Sequence, residues 1–265
     1  MGTHRGTTTA AAAASRTADA DLAVRLTGVG KRFGKSGPLV LDGIDLTIPR
    51  GAFVCLLGAS GCGKSTLLNV VAGLEPVTAG SVEVAGDRAA LMFQEPALFP
   101  WLTASGNVEL ALRLRGMPKR ERRDRAAELL ALVRLSGAGD KRVHELSGGM
   151  RQRVALARSL AQDREVLLMD EPFAALDAIT RDVLHDELER VWHETGRTVV
   201  FVTHNVREAV RLGERVLLMS SRPGRIVREW DVDIPGQRRI ETPAVAGLSV
   251  EITDHLRREI RRHAA

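Results

Sequence analysis

The sequence predicts an α/β fold, a mostly parallel sheet covered by helices on both faces. Three observations carry that prediction. Continuous apolar runs recur at AFVCLL (52–57), VLLM (166–169), TVVFV (198–202) and RVLLM (215–219), as expected of strands buried on both sides. Segments with helical spacing separate the last three runs, and alternating strands and helices imply parallel pairing. A chain of 265 residues, 44% apolar and 27% charged, has ordinary globular composition and the length for a substantial core.

The elements follow in order. Residues 1–20, rich in Ala and Thr, read as a disordered tail more readily than as a secretory signal, because they contain no leucine-rich stretch. From 22 to about 48, the alternation in LAVRL and VLDGIDLTI predicts half-buried strands with turns at Gly30, Gly34, Gly37-Pro38 and Asp42-Gly43. After the first buried strand, Leu67, Leu68, Val71 and Ala72 recur at helical spacing until Gly73. SVEVAG (81–86) predicts an edge hairpin. Residues 120–135 predict an amphipathic helix, with Ala126, Leu129, Leu130 and Val133 on one face and arginines on the other.

A further helix starts after Ser147, a plausible N-cap, and turns Met150, Val154, Ala157 and Leu160 inward. Leu184, Leu188 and Val191 mark a helix closed by Gly196; Val206, Ala209 and Val210 mark one closed by Gly213. The helical stretch from about 100 to 160 interrupts the strand–helix alternation and predicts a subdomain. Beyond Ile234 one amphipathic helix is expected near 250–260.

Composition excludes several function classes. No apolar run approaches the roughly 18 residues of a membrane-spanning helix. Two cysteines, Cys55 and Cys62, make no disulfide framework, and no Cys/His cluster has zinc spacing. Aromatics are 3% with no tyrosine, which disfavours base-stacking platforms. The expectation is a soluble cytoplasmic chain. Its net charge of +5 suits an anionic ligand, nucleic acid or an acidic membrane surface without choosing among them.

The strongest local signal is Gly58-Ala59-Ser60-Gly61-Cys62-Gly63-Lys64-Ser65-Thr66, which fits G-x-x-x-x-G-K-[ST] between a buried strand and a helix. Phosphate oxygens need many donors without bulky side chains in the way. Glycines let backbone N–H groups converge, and the helix N-terminus adds partial positive charge. Lys64 would neutralise the β/γ-phosphates, and the Ser65 hydroxyl would coordinate Mg²⁺. Asp170-Glu171 ends the run VLLM, where an acidic pair is costly unless it meets a cation or protons. Asp170 is placed to hold Mg²⁺ and Glu171 to act as general base; a surface pair capping the next helix is the structural alternative.

These two motifs alone permit kinases, GTPases and many motor ATPases. Leu146-Ser147-Gly148-Gly149-Met150 narrows the choice. It resembles the LSGGQ signature of the ATP-binding cassette (ABC) family of P-loop NTPases, with Met150 where glutamine is commoner. The resemblance extends in order to Gln94 in LMFQEP (the Q-loop), to Ala175-Leu176-Asp177 (the D-loop) and to His204 after TVVFVT (the switch histidine). Phe33 in KRFG fits the aromatic that stacks on adenine, or a core phenylalanine.

The resemblance implies an ABC ATPase core at 21–235, with a parallel sheet, a small antiparallel β-subdomain and a helical subdomain at about 95–160, followed by a C-terminal extension at 236–265. It implies ATP and Mg²⁺ as ligands, with Ser65, Gln94 and Asp170 on the metal. Ser147, Gly148, Gly149 and Asp177 would act at a nucleotide shared with a second copy, and Glu171, His204 and Lys64 would carry catalysis.

The cassette is expected to stand alone without fused membrane helices, which suits a bacterial importer on the cytoplasmic face of the membrane. Separate permease subunits would form the pore, and a solute-binding protein would act through them. EPALFPW (95–101), SRPGRIV and VDIPGQRR resemble the nitrate/sulfonate/taurine importer group. The transported solute is not readable from a cassette. A cassette ATPase acting on nucleic acid or the ribosome is the alternative, with the arginines of KRERRDR (119–125) in its favour; a solvated helix face explains them more simply, and no nucleic acid is expected. The short span from Lys64 to Gln94 predicts a trimmed loop between strands near 82–84 and 91–93. Cys62, near Lys64 and a helix N-terminus, reads either as a low-pKa thiol that ATP would shield or as an inert buried one; Cys55 reads as a small core residue.

Overall fold

The computed structural model describes residues 21–34, 36–236, 238 and 242–264; the tail expected at 1–20 lies outside the described residues. Two sheets organise the chain. A three-stranded antiparallel sheet has the order β2-β1-β4, from β1 (Leu22–Arg32), β2 (Leu39–Pro49) and β4 (Ala79–Val84). A six-stranded sheet has the order β5-β6-β7-β3-β8-β9. Its strands are β3 (Phe53–Gly58), β5 (Ala90–Met92), β6 (Val166–Asp170), β7 (Thr198–Val202), β8 (Arg215–Met219) and β9 (Ile226–Asp231). All its pairings are parallel except β8–β9.

Strand periodicity explains why the apolar runs are unbroken. Phe53, Cys55 and Leu57 of β3 face one core cluster, while Val54 and Leu56 face another. β6 divides the same way, Leu167 and Met169 against Val166 and Leu168. The first cluster lies under the helices. The second is closed by α1 (Lys64–Val71) and the three-stranded sheet. A strand covered on both faces has no side that tolerates polar residues.

The inserted helices are α2 (Ala104–Leu114), α3 (Lys119–Leu132) and α4 (Gly148–Ala161). α2 packs on both α3 and α4. Thr103 caps α2 by accepting from Gly106 N at 3.0 Å. Ala126, Leu129 and Leu130 are the buried face of α3, followed by buried Val133; Arg120, Arg123 and Arg125 are exposed, whereas Arg122 is half-buried on the apolar side, one turn before Ala126. The remaining helices are α5 (Ala178–Thr195), α6 (Val206–Leu212) and α7 (Pro243–Ala264). Gly196 closes α5 in the left-handed conformation at φ 61°.

Several elements differ from expectation. Gly30 and Asp42-Gly43 lie inside β1 and β2, where register shifts absorb them, and the chain reverses only at 33–38. SVEVAG, expected to form an edge hairpin, instead gives the end of edge strand β4 (81–84), which pairs with β1, followed by the 3₁₀ turn at Ala85-Gly86. β9 carries no apolar run, because only Trp230 in it is buried. α7 begins seven residues before its predicted start near 250 and includes buried Val245 and Ile252. β4 and β5 are joined by residues 85–89, a short connection containing one 3₁₀ turn. Among the described residues, no helix is long and apolar enough to cross a membrane.

Candidate functional site

Three adjacent strands of the large sheet end at one place, the edge where ligands bind in open α/β sheets. β3 runs into the glycine loop, β6 into Asp170-Glu171, and β7 into Thr203-His204. β5, one strand further out, leads to Gln94. A cavity of about 400 Å³ opens there, lined by Val40, Ser60, Gly61, Gly63, Lys64, Ser65, Thr66, Gln94, Asp170 and Glu171.

The loop's shape follows from its glycines. Gly63 has φ 102°, and a Cβ there would lie 2.9 Å from Leu41 Cδ2. A Cβ on Gly58 would lie 2.6 Å from Cys62 Sγ and 3.0 Å from the Met219 carbonyl. Cys62 therefore points into the protein, and what it can offer a phosphate is its backbone. Its thiol is 1% exposed, and burial pushes its pKa up more than the Lys64 charge pulls it down. The reading of Cys62 as a low-pKa, readily alkylated thiol is overturned, because desolvation of the thiolate outweighs the nearby cation. Cys55 is buried in β3 as expected.

Lys64 is 6% exposed and donates from Nζ to the carbonyls of Gly58 (2.9 Å) and Ala59 (3.1 Å). Glu171 Oε1 is 3.8 Å from that ammonium. The other oxygen, Oε2, is 2.9 Å from His204 Nδ1. Glu171 thus sits between a cation and an imidazole, at the positive φ of 44°, with its N–H donating to Val202 O. Such backbone strain in a non-glycine residue persists where the surroundings over-determine it, and it concentrates at functional sites.

Asp170 has its pKa raised by burial, with the Ser65 hydroxyl bonded to it and pulling the other way. A partly buried carboxylate, a hydroxyl and the Gln94 amide line the same cavity, a hard-oxygen donor set that fits Mg²⁺. Among the described residues no cluster of three or more His, Cys, Asp or Glu forms a protein-only metal cage.

The remaining candidates lie outside the cavity. Ser147 caps α4 by accepting from Met150 N at 3.2 Å. Gly148 and Gly149 lie against the segment that follows Glu171: a Cβ on Gly149 would meet Thr180 Cγ2 at 2.7 Å, and one on Gly148 would meet Leu176 Cδ2 at 3.3 Å. Asp177 caps α5 by accepting from Thr180 N at 2.9 Å, and this bond holds its pKa below the ordinary value. Phe33 is 47% exposed at the end of β1, with Lys31 Nζ 4.8 Å from its ring centre, so it is not a core phenylalanine.

Sequence reasoning missed several supports. Gln152 of α4 donates from Nε2 to the Gln94 carbonyl at 3.1 Å, and Arg158 grips the carbonyls of Pro96 (2.7 Å) and Ala97 (2.6 Å). Asn107 of α2, fully buried, bonds both backbone groups of Phe99. The helical subdomain thereby holds the segment after Gln94. A polar residue on an otherwise apolar helix face was the available signal.

The chain is similar to known proteins over most of its length. The ABC transporter family model matches residues 41–174. The taurine import ATP-binding protein TauB of Rhizobium johnstonii is 48% identical over 200 residues, covering 73% of this chain and 76% of that protein. The nitrate import ATP-binding protein NrtD of Synechocystis sp. is 46% identical over 218 residues, covering 79% of this chain and 81% of that one. Among solved structures, the ATP-binding cassette MJ0796, dimeric and bound to ADP and Pi in a post-hydrolysis state, superposes with TM-score 0.69 at 35% identity; the match covers 80% of this chain and all of that one. Fold and likeness coincide, and the chain belongs to the ABC transporter family as an ATP-binding, ATP-hydrolysing cassette.

Proposed function

We propose that this chain is the ATPase subunit of an importer for small anions of the taurine, sulfonate or nitrate type. The observation that supports the reading most is the convergence of Lys64, Asp170, Glu171 and Gln94 on one cavity, in a chain whose relatives are named for taurine and nitrate import. The cassette would sit peripherally on the cytoplasmic face of the membrane, bound to separate permease subunits.

The reaction is phosphoryl transfer from ATP to water. The glycine-loop N–H groups and Lys64 bind the β/γ-phosphates and oppose the charge that develops on them. Ser65, Asp170 and Gln94 would hold Mg²⁺, which neutralises phosphate charge when bound. Glu171 Oε1 takes the proton of the attacking water as its oxygen bonds to phosphorus and the bond to the ADP oxygen breaks. His204, on the other oxygen of Glu171, orients that carboxylate and reaches toward the γ-phosphate. Ser147–Gly149 lie outside the cavity of their own chain, so a second copy would present them to the nucleotide across a dimer.

Glu171→Gln should slow hydrolysis by roughly 10²–10⁴-fold while leaving ATP affinity intact, the size of a positioned-base effect. A normal turnover rate in that variant removes Glu171 from the role. Co-reconstitution with its permease subunits should raise ATPase turnover and drive uptake of taurine, an alkanesulfonate or nitrate. Turnover indifferent to the permease, with no uptake, sinks the importer reading.

A further inference from the structure

Behind His204 lies a buried polar cluster to which the chemistry above assigns no role. Glu208 of α6 is 6% exposed and spreads its carboxylate over two other elements. Oε1 is 2.5 Å from His185 Nε2 on α5, and Oε2 accepts from Thr203 Oγ1 at the end of β7. His185 and Thr203 are each 2% exposed. Thr203 Oγ1 also accepts from Asn205 N at 3.0 Å, and Asn205 caps α6 by accepting from Arg207 N. Both neighbours of His204 are therefore tied down. His204 itself is 64% exposed in its side chain and reaches Glu171 from this turn.

Charged groups face both ring nitrogens of His185. Nε2 faces the Glu208 carboxylate, and Nδ1 has Arg211 Nη1 at 3.4 Å and Asp182 Oδ1 at 3.8 Å. Arg211 is in turn held by Asp182 (2.9 Å) and Asp186 (2.7 Å). Other groups face the cluster too. The buried Cys55 thiol on β3 feels the Glu208 charge, the Phe173 ring lies edge-on to His185 at 5.6 Å, and Arg181 shares a cavity of about 20 Å³ with Glu171, His204 and Glu208.

A buried carboxylate is costly, and apolar side chains of similar volume would pack the same space more cheaply. What the cluster adds is a fixed turn. We propose that Glu208, gripped by His185 and Thr203, is a positioning residue for hydrolysis: it sets the β7–α6 turn so that the His204 ring meets Glu171. This rests on the reading of Glu171 and His204 given above.

The test uses the full-length chain with MgATP, measuring turnover at saturation and, separately, affinity for a fluorescent ATP analogue. Thr203→Val keeps the shape and removes the hydroxyl; His185→Leu removes the imidazole donor. Each should lower kcat about tenfold, the scale of a small misplacement of a catalytic group, with nucleotide affinity unchanged within about twofold. Thr203→Ser and His185→Gln keep a donor toward Glu208 and should stay within about twofold of wild type. His185→Leu added to His204→Ala should cost nothing further, because the two act through one group.

Wild-type kcat in both Thr203→Val and His185→Leu overturns the inference. So does a parallel loss in the Ser and Gln variants, or a loss of affinity in step with kcat, which would make the cluster merely structural. Should His185→Leu fail to fold, the near-isosteric Thr203→Val carries the decision. His204→Ala and Glu171→Gln are the reference. Normal turnover in those two brings down the site reading itself, whereas their slowing beside an unaffected Thr203→Val brings down this inference alone.

Discussion

Asp170 ends a buried strand, and burial raises its pKa more than the Ser65 hydroxyl lowers it. A raised pKa means that the folded state prefers the protonated form. The stabilisation is complete below the ordinary value of 3.8 and is lost as pH rises through the raised value. Without nucleotide, Asp170→Asn should therefore melt above wild type at pH 7, with the gap closing as pH falls toward 4; a gap independent of pH would contradict this. Cys62 responds the same way in a different chemistry. Its thiolate is disfavoured by burial, so iodoacetamide at pH 8 should label it at least about tenfold more slowly than a free cysteine, as mass spectrometry would show. At this scale the motif was legible because each residue type has one physical job. The direction of the Cys62 side chain was not, since it depends on Gly58 and Met219, which are distant in sequence or across a turn.

Among the elements, α4 and α5 meet closely beside the site. Gly149 leaves room for Thr180, and a Cβ there would approach Thr180 Cγ2 to 2.7 Å. Gly149→Ala should displace the first turn of α4 and lower hydrolysis without weakening ATP affinity, and Thr180→Ser should restore activity by removing the opposing methyl. Failure of that rescue would show that the loss has another origin. The β1–β4 pairing has a similar pinch point. Gly80 has φ +78°, and a Cβ would lie 2.3 Å from the Thr27 carbonyl. Gly80→Ala should cost about 1–3 kcal/mol in a denaturant melt. The buried strands and the capped helix after Ser147 could be read from pattern alone, because burial on two faces and N-capping leave local marks. β9 could not, nor that Gly30 and Asp42-Gly43 would be bulges inside strands and not turns, since sheet edges and bulges are set by what pairs with them.

The molecule as a whole joins its last helix to the core. Val245 and Ile252 of α7 are fully buried in one cluster with Trp230 and Val232, and Trp230 Nε1 donates to Glu251 at 2.8 Å. Removing the chain from residue 243 onward should lower stability by several kcal/mol, from about 1.5–3 kcal/mol for each large buried side chain, and a thermal melt would register it. An unchanged midpoint would mark α7 as an appendage. The sequence by itself determined the phosphate loop, the acidic pair and the succession of strands and helices, because these depend on residue type and local spacing. Only the tertiary structure decided that β3, β6 and β7 lie side by side with their ends together. That order comes from long-range packing, in which each strand divides its side chains between two cores, and no local pattern encodes which strand becomes its neighbour.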